Sequence, residues 1–193
     1  MKNVLLLLAQ GFEAYEASVF TDVMGWSRCY GNKPVNVLTT SLREEIKCTW
    51  NLIVKTQREF SKVNIQDYDA LAIPGGFEEA GFYEDAYDEK FLDLIRAFEK
   101  QQKLIASVCV GAMPIGKSGI LKNRTGTTYD LESVRRSQLA SFGVIVKDEK
   151  IVVDQNIITS TGPSTALDVA FILLEKLTDA DTVNTIKKRM RFI

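Results

Sequence analysis

Strand-length apolar runs alternate with segments of helical period along this chain, and that alternation most restricts its fold. Val4 to Leu8 is continuously apolar, as in a parallel strand buried on both faces. Glu13 to Arg28 follows with Ala17, Phe20, Val23 and Met24 at helical spacing. Pro34 to Thr39 reads as a second strand, and Ala70 to Ile73 as another, closed by Pro74-Gly75-Gly76. Glu84 to Gln102 reads as one strong helix with Phe91, Leu94, Ile95 and Phe98 on one face. Ile105 to Val108 is again strand-like, and a helix is expected after Cys109, ending near Gly119. Thr125 to Tyr129 reads as extended, with Asp130 as N-cap of a helix through Ser141 and a core face drawn from Ser133 to Phe142. Gly162-Pro163-Ser164 opens a helix with Ala166, Ala170, Leu173, Leu174 and Leu177 on one side, and Lys187-Lys188-Arg189 with Arg191 reads as a solvated basic end. Hairpins are expected at Glu45 to Thr56 and at Ile151 to Thr159. The class is therefore α/β with a mainly parallel sheet flanked by small β-hairpins, in a single domain over residues 1–193.

The stretch Ile105-Ala106-Ser107-Val108-Cys109-Val110-Gly111-Ala112 carries the strongest chemical signal. A cysteine between a buried strand and a helix fits a nucleophile elbow, where neighbours must be small because the backbone is strained and closely packed. The following helix would point N–H groups at the sulfur, favouring thiolate. The same pattern equally fits a small buried hydrophobe. Glu13 and Glu16 fall in the first turns of the first helix, near the carboxyl end of the first strand, where open α/β sheets form sites. Gly75 and Gly76 form a turn that lets backbone approach a ligand, or simply ends a strand. Gly11, Gly76 and Cys109 should converge on one sheet edge.

Charge and composition narrow the function. The net charge of −1 leaves no electrostatic footprint for nucleic acid. No apolar run approaches a membrane span, and the start lacks the charged, apolar and cleavage regions of a signal peptide. Cys29, Cys48 and Cys109 are an odd set without CxxC, so reduced thiols and a cytoplasmic location are expected, with no metal site. The chain has no histidine, which excludes a Cys-His dyad within it.

Leu8-Ala9-Gln10-Gly11-Phe12-Glu13-Ala14-Tyr15-Glu16, Ile73-Pro74-Gly75-Gly76, the Cys109 elbow and Ile158-Thr159-Ser160-Thr161-Gly162-Pro163-Ser164-Thr165 together resemble the ThiJ/PfpI superfamily over nearly the whole length. That resemblance implies a flavodoxin-like three-layer sandwich and a homodimer. It implies Cys109 as nucleophile or oxidation-sensitive thiol, Glu16 as the carboxyl group hydrogen-bonding the sulfur, and backbone N–H groups of Gly76 and Val110 as an oxyanion pocket. Gly75 and Tyr129 are secondary site residues, Tyr129 standing where deglycase-like members carry a histidine. Protease-like members have a histidine where this chain has Val110. Cys29 and Cys48 are expected to be structural, and Trp50 stands where the deglycase group tends to carry an arginine.

The resemblance thus implies cysteine-dependent chemistry on small reactive carbonyls, glyoxalase- or deglycase-like, with no catalytic histidine and no cofactor. A non-enzymatic oxidation sensor or stress protein of chaperone-like kind is the alternative. Peptidase and amidase activity, which needs an acid for the amine leaving group, is not expected.

Overall fold

The computed structural model describes residues 1–131 and 134–193. In chain order the elements are β1 (Lys2–Leu7), α1 (Ala14–Tyr30), β2 (Val35–Ser41), β3 (Glu45–Lys47), β4 (Ile53–Lys55), β5 (Arg58–Glu59), β6 (Ala70–Ile73), α2 (Phe82–Ala86), α3 (Glu89–Lys100), β7 (Leu104–Ser107), α4 (Ala112–Lys117), β8 (Thr125–Gly126), α5 (Arg135–Ser141), β9 (Ile145–Val146), β10 (Ile151–Asp154), β11 (Ile157–Ser160), α6 (Ala166–Leu177) and α7 (Ala180–Arg189).

The main sheet runs β10-β11-β7-β6-β1-β2-β5, parallel throughout except for β10 against β11. Side chains alternate across a strand, and each central strand therefore supplies two layers. Val4, Leu6 and Leu8 enter one core with Ala70, Ala72, Ala106 and Ile158. Leu5, Leu7 and Ala9 enter the other with Leu71, Ile73, Ile105 and Ile157. Helices α1, α6 and α7 cover the first face, and α2 to α5 the second. Alanines on the first face leave room for Val169, Ala170, Leu173 and Leu174 of α6 to pack close to the sheet. This is the expected flavodoxin-like sandwich.

Four local expectations are corrected. The helix from Glu84 is two helices, because the Asp88 carboxylate caps α3 by accepting from Lys90 N at 2.8 Å and its extended backbone breaks the run. Asp130 does not cap the next helix, which starts at Arg135; Glu132 and Ser133 of that expected helix lie outside the described residues. The second hairpin does not merely flank the sheet, since β11 pairs in parallel with β7 and makes it a main-sheet strand. Cys109 to Gly111 forms a tight 3-10 turn before α4.

The strand order places the site. The chain leaves β1 toward β2 on one side, while β6 joins β1 on the other. That switch point opens a crevice at the carboxyl ends of the strands. Ile73 pairs with Ser107 there, so the turns after β6 and β7 end side by side.

Candidate active site around Cys109

Cys109 has φ of +55°, a left-handed conformation unfavourable for a side chain with a Cβ. Neighbouring bonds hold it there. Val108 N–H donates to Ile73 O at 3.2 Å, Gly111 N–H donates to Val108 O at 2.8 Å, and Thr128 Oγ1 donates to Cys109 O at 3.0 Å. Gly111 is required because a Cβ would fall 2.5 Å from Ile73 O. The elbow thus presses directly on the end of β6.

Glu16 arrives from the first turn of α1. Glu13 is the N-cap of that helix, and its carboxylate accepts from Tyr15 N and Glu16 N at 3.1 and 3.3 Å. Its other oxygen accepts from Trp50 Nε1 at 2.9 Å. The two glutamates therefore divide the work. Glu13 fixes the helix start, and Glu16 is turned inward and is 0% exposed. Glu16 Oε2 accepts from Gly75 N–H at 2.7 Å, while Oε1 is buried without a hydrogen-bond partner among the described residues.

Gly75 is the spacer of the site. A Cβ on it would lie 2.9 Å from Cys109 Cβ, 2.9 Å from Glu16 Oε2 and 3.0 Å from Val110 N. Gly76 is locked into a bridge with Phe12, made by Glu13 N–H to Gly75 O and Phe77 N–H to Gly11 O. Among the described residues Gly76 N–H has no partner of its own, and Gly76 is half-buried. Gly11, Gly75, Gly76, Val110, Glu16 and Cys109 are thus brought together. Tyr129 follows Thr128 and is half-buried, its ring beside Gly162.

Burial dominates the electrostatics. It pushes the Glu16 carboxyl up to about 8, against the lowering effect of the Gly75 N–H; the nearby Glu13 charge pushes the same way as burial. Burial also pushes the Cys109 thiol well above its usual range, and a charged Glu16 would push it further. The Val110 N–H hydrogen-bonds the sulfur and acts in the opposite direction. The thiolate expected from a helix N-terminus is therefore not the resting state. Helix α4 is only six residues long, and its dipole does not offset the desolvation. The two ionisations oppose each other: the pair loses its first proton from the Glu16 carboxyl around pH 8, and the carboxylate then holds the thiol protonated.

Three groups at this edge lacked a sequence signal. Tyr83 of α2 has a buried hydroxyl without a partner among the described residues, and the Arg135 guanidinium lies 4.8 Å over its ring. Arg135 also pairs with Glu78. Thr128 holds the elbow carbonyl, as above. Their arrival depends on how α2 and α5 pack, which residue spacing does not encode. Among the described residues no three His, Cys, Asp or Glu side chains stand close enough to hold a metal ion. No described helix is long and apolar enough to cross a membrane.

A cysteine on a strained strand-to-helix turn, beside a buried carboxyl at the switch point of a parallel sheet, defines a class of α/β proteins with a paired thiol and carboxyl at that edge. Residues 2–176 match the DJ-1/PfpI family, and the chain belongs to it. It is 30% identical to Drosophila melanogaster protein dj-1beta over 97% of this chain and 95% of that protein. A deglycase of Pyrococcus horikoshii is 32% identical over 58% of this chain and 63% of its own length. An isonitrile hydratase of Pseudomonas putida is 29% identical over 64% of this chain and 52% of its own length. The crystal structure of Drosophila DJ-1beta superposes with a TM-score of 0.84 at 26% identity, covering 98% of this chain and 97% of that one.

Proposed function

We propose that the chain is a cysteine-dependent enzyme acting on small 2-oxoaldehydes, with Cys109 as nucleophile and Glu16 as its proton carrier. The observation that carries this reading is the buried Glu16 carboxyl, raised to about 8 and fixed by Gly75 beside a strained cysteine. A deglycase and an isonitrile hydratase among the relatives support small-molecule chemistry on this scaffold.

The steps balance without a histidine or an external oxidant. Cys109 sulfur adds to the aldehyde carbon, a C–S bond forms, and the C=O π pair moves to oxygen. The thiol proton passes to the ionised fraction of Glu16, and the oxyanion is met by the N–H groups of Gly76 and Val110 before it is protonated. Val110 N–H, which bonds the resting sulfur, turns to the oxyanion as the sulfur charge is consumed. Glu16 then moves the hydrogen of the former aldehyde carbon to the neighbouring carbonyl carbon through an enediol, which leaves a thioester. Water cleaves the thioester, releasing a 2-hydroxy acid and the free thiol. Tyr129, at the rim, contributes contact surface and no proton step.

Methylglyoxal turnover is the direct test. Wild type is expected to form lactate and Cys109→Ala to form none. Equal lactate formation by the variant would contradict the assignment.

A second reading, an oxidation sensor, draws on the same geometry, because protonated Glu16 is a donor for a Cys109 sulfinate. Oxidation to sulfinate at low peroxide with no methylglyoxal turnover is the outcome that favours it.

We further propose a homodimer. Tyr15, Trp50, Leu52, Ile53 and Phe77 are exposed, and Trp50 and Phe77 meet edge to face at 5.4 Å. A second copy covering this patch removes apolar surface from water. Light scattering is expected to give twice the 21.6 kDa chain mass; a monomer at micromolar concentration would rule this out.

A further inference from the structure

Tyr83 has no part in the steps above, yet its placement calls for a role. Its hydroxyl is buried and has no hydrogen-bond partner among the described residues. Such a group gives up its water bonds on folding and regains nothing. Its ring is nevertheless firmly held. Phe82 meets it edge-on at 5.2 Å, Tyr87 lies 4.7 Å away, and the Arg135 guanidinium covers a face at 4.8 Å.

The chain path brings helix α2 to the site. Phe82, the first residue of α2, packs on Gly76 so closely that a Cβ there would fall 2.4 Å from its ring. Gly75, the preceding residue, touches Cys109. Tyr83 and Cys109 border the same apolar layer, and Cys109 is one of the charges that act on the phenol.

We propose that the Tyr83 hydroxyl donates a hydrogen bond to the carbonyl oxygen of the aldehyde bound at Cys109. This rests on the 2-oxoaldehyde reading of the site and adds a side-chain donor to its two backbone N–H groups. The phenol donates without transferring its proton, since burial pushes its ionisation far above the physiological range. As negative charge grows on the substrate oxygen, the bond strengthens, and the cation of Arg135 over the ring favours the same charge. A chain without histidine thus has a neutral side-chain donor for the oxyanion.

The test is protection of Cys109 against iodoacetamide by graded methylglyoxal, resolved by peptide mass spectrometry, in wild type and Tyr83→Phe. Each protein's alkylation rate without aldehyde is its own reference, so altered thiol reactivity cancels. Phenylalanine keeps the ring between Phe82 and Arg135, and a thermal midpoint no lower than wild type is expected because no folding bond is lost. Tyr83→Phe is expected to need about tenfold more methylglyoxal for half-protection, equivalent to about 1.4 kcal/mol. Equal half-protection concentrations would overturn the Tyr83 assignment and leave the Cys109 reading standing. No protection of wild type at any concentration would overturn both.

Discussion

The stability of Glu16→Gln relative to wild type is expected to rise by about 5 kcal/mol as pH increases from 4.5 to about 8. The Glu16 carboxyl has an ordinary value of 4.5 and a folded value of about 8. A raised folded value means that the native state holds a proton which the unfolded chain has already released. Stability from this group is therefore fully present below pH 4.5 and is lost as pH rises through about 8. The magnitude follows from about 1.4 kcal/mol for each pH unit between the two values. Glutamine keeps an oxygen to accept from Gly75 N–H and carries no charge to bury. Asp69, Asp154 and Asp179 have lowered values and lose stability in the opposite direction, toward acid. They remain in both proteins and cancel from the difference. Urea unfolding of the two proteins across this range checks the expectation, and parallel stability curves would contradict it.

Gly75→Ala is expected to abolish most of the chemistry and to destabilise the fold by about 1–3 kcal/mol, the usual cost of overpacking. The added carbon meets Cys109 Cβ and Glu16 Oε2 at 2.9 Å and Val110 N at 3.0 Å. None of the three is the loose end of a flexible chain. Cys109 is pinned through its own backbone, Glu16 by the Gly75 N–H, and Val110 by the turn. Something must move, and every possible movement separates the thiol from the carboxyl or displaces an oxyanion donor. A displacement of about 1 Å in such a site costs about a hundredfold in rate. Methylglyoxal turnover and thermal unfolding of Gly75→Ala are the measurements. Wild-type turnover in this variant would show that the three groups do not act together.

The sequence disclosed much of this architecture where one strong physical regularity acted alone. The run Val4 to Leu8 announced a strand buried on both faces, and its residues do divide alternately between two cores. The helix break at Asp88 was harder to read. An N-cap residue was present, but the apolar spacing of Phe91, Leu94, Ile95 and Phe98 does not mark where its helix begins. Strands β5, β8 and β9 have two residues each, too few for any period to show.

The site divides similarly. Cys109, Gly75 and Gly76 announce themselves because strained turns restrict the residues that fit. Glu16 could be placed near them because helix α1 follows β1 directly. The ionisation of the thiol could not be read, since it depends on burial depth, and burial outweighs the short helix that suggested a thiolate. Tyr83 and Arg135 were silent for a related reason. They come from separate helices, and only packing brings them together.

The central claim is that the Glu16 carboxyl controls the ionisation of Cys109. The most direct measurement is the rate of Cys109 alkylation against pH, resolved from Cys29 and Cys48 by peptide mass spectrometry. Wild type is expected to show its rise well above the ordinary thiol range, because burial and the Glu16 charge, which forms around pH 8, both hold the thiol protonated. In Glu16→Gln that rise should move to lower pH, because no carboxylate then opposes the thiolate. Superimposable profiles for the two proteins would contradict the coupling and with it the assignment of Glu16 to the site.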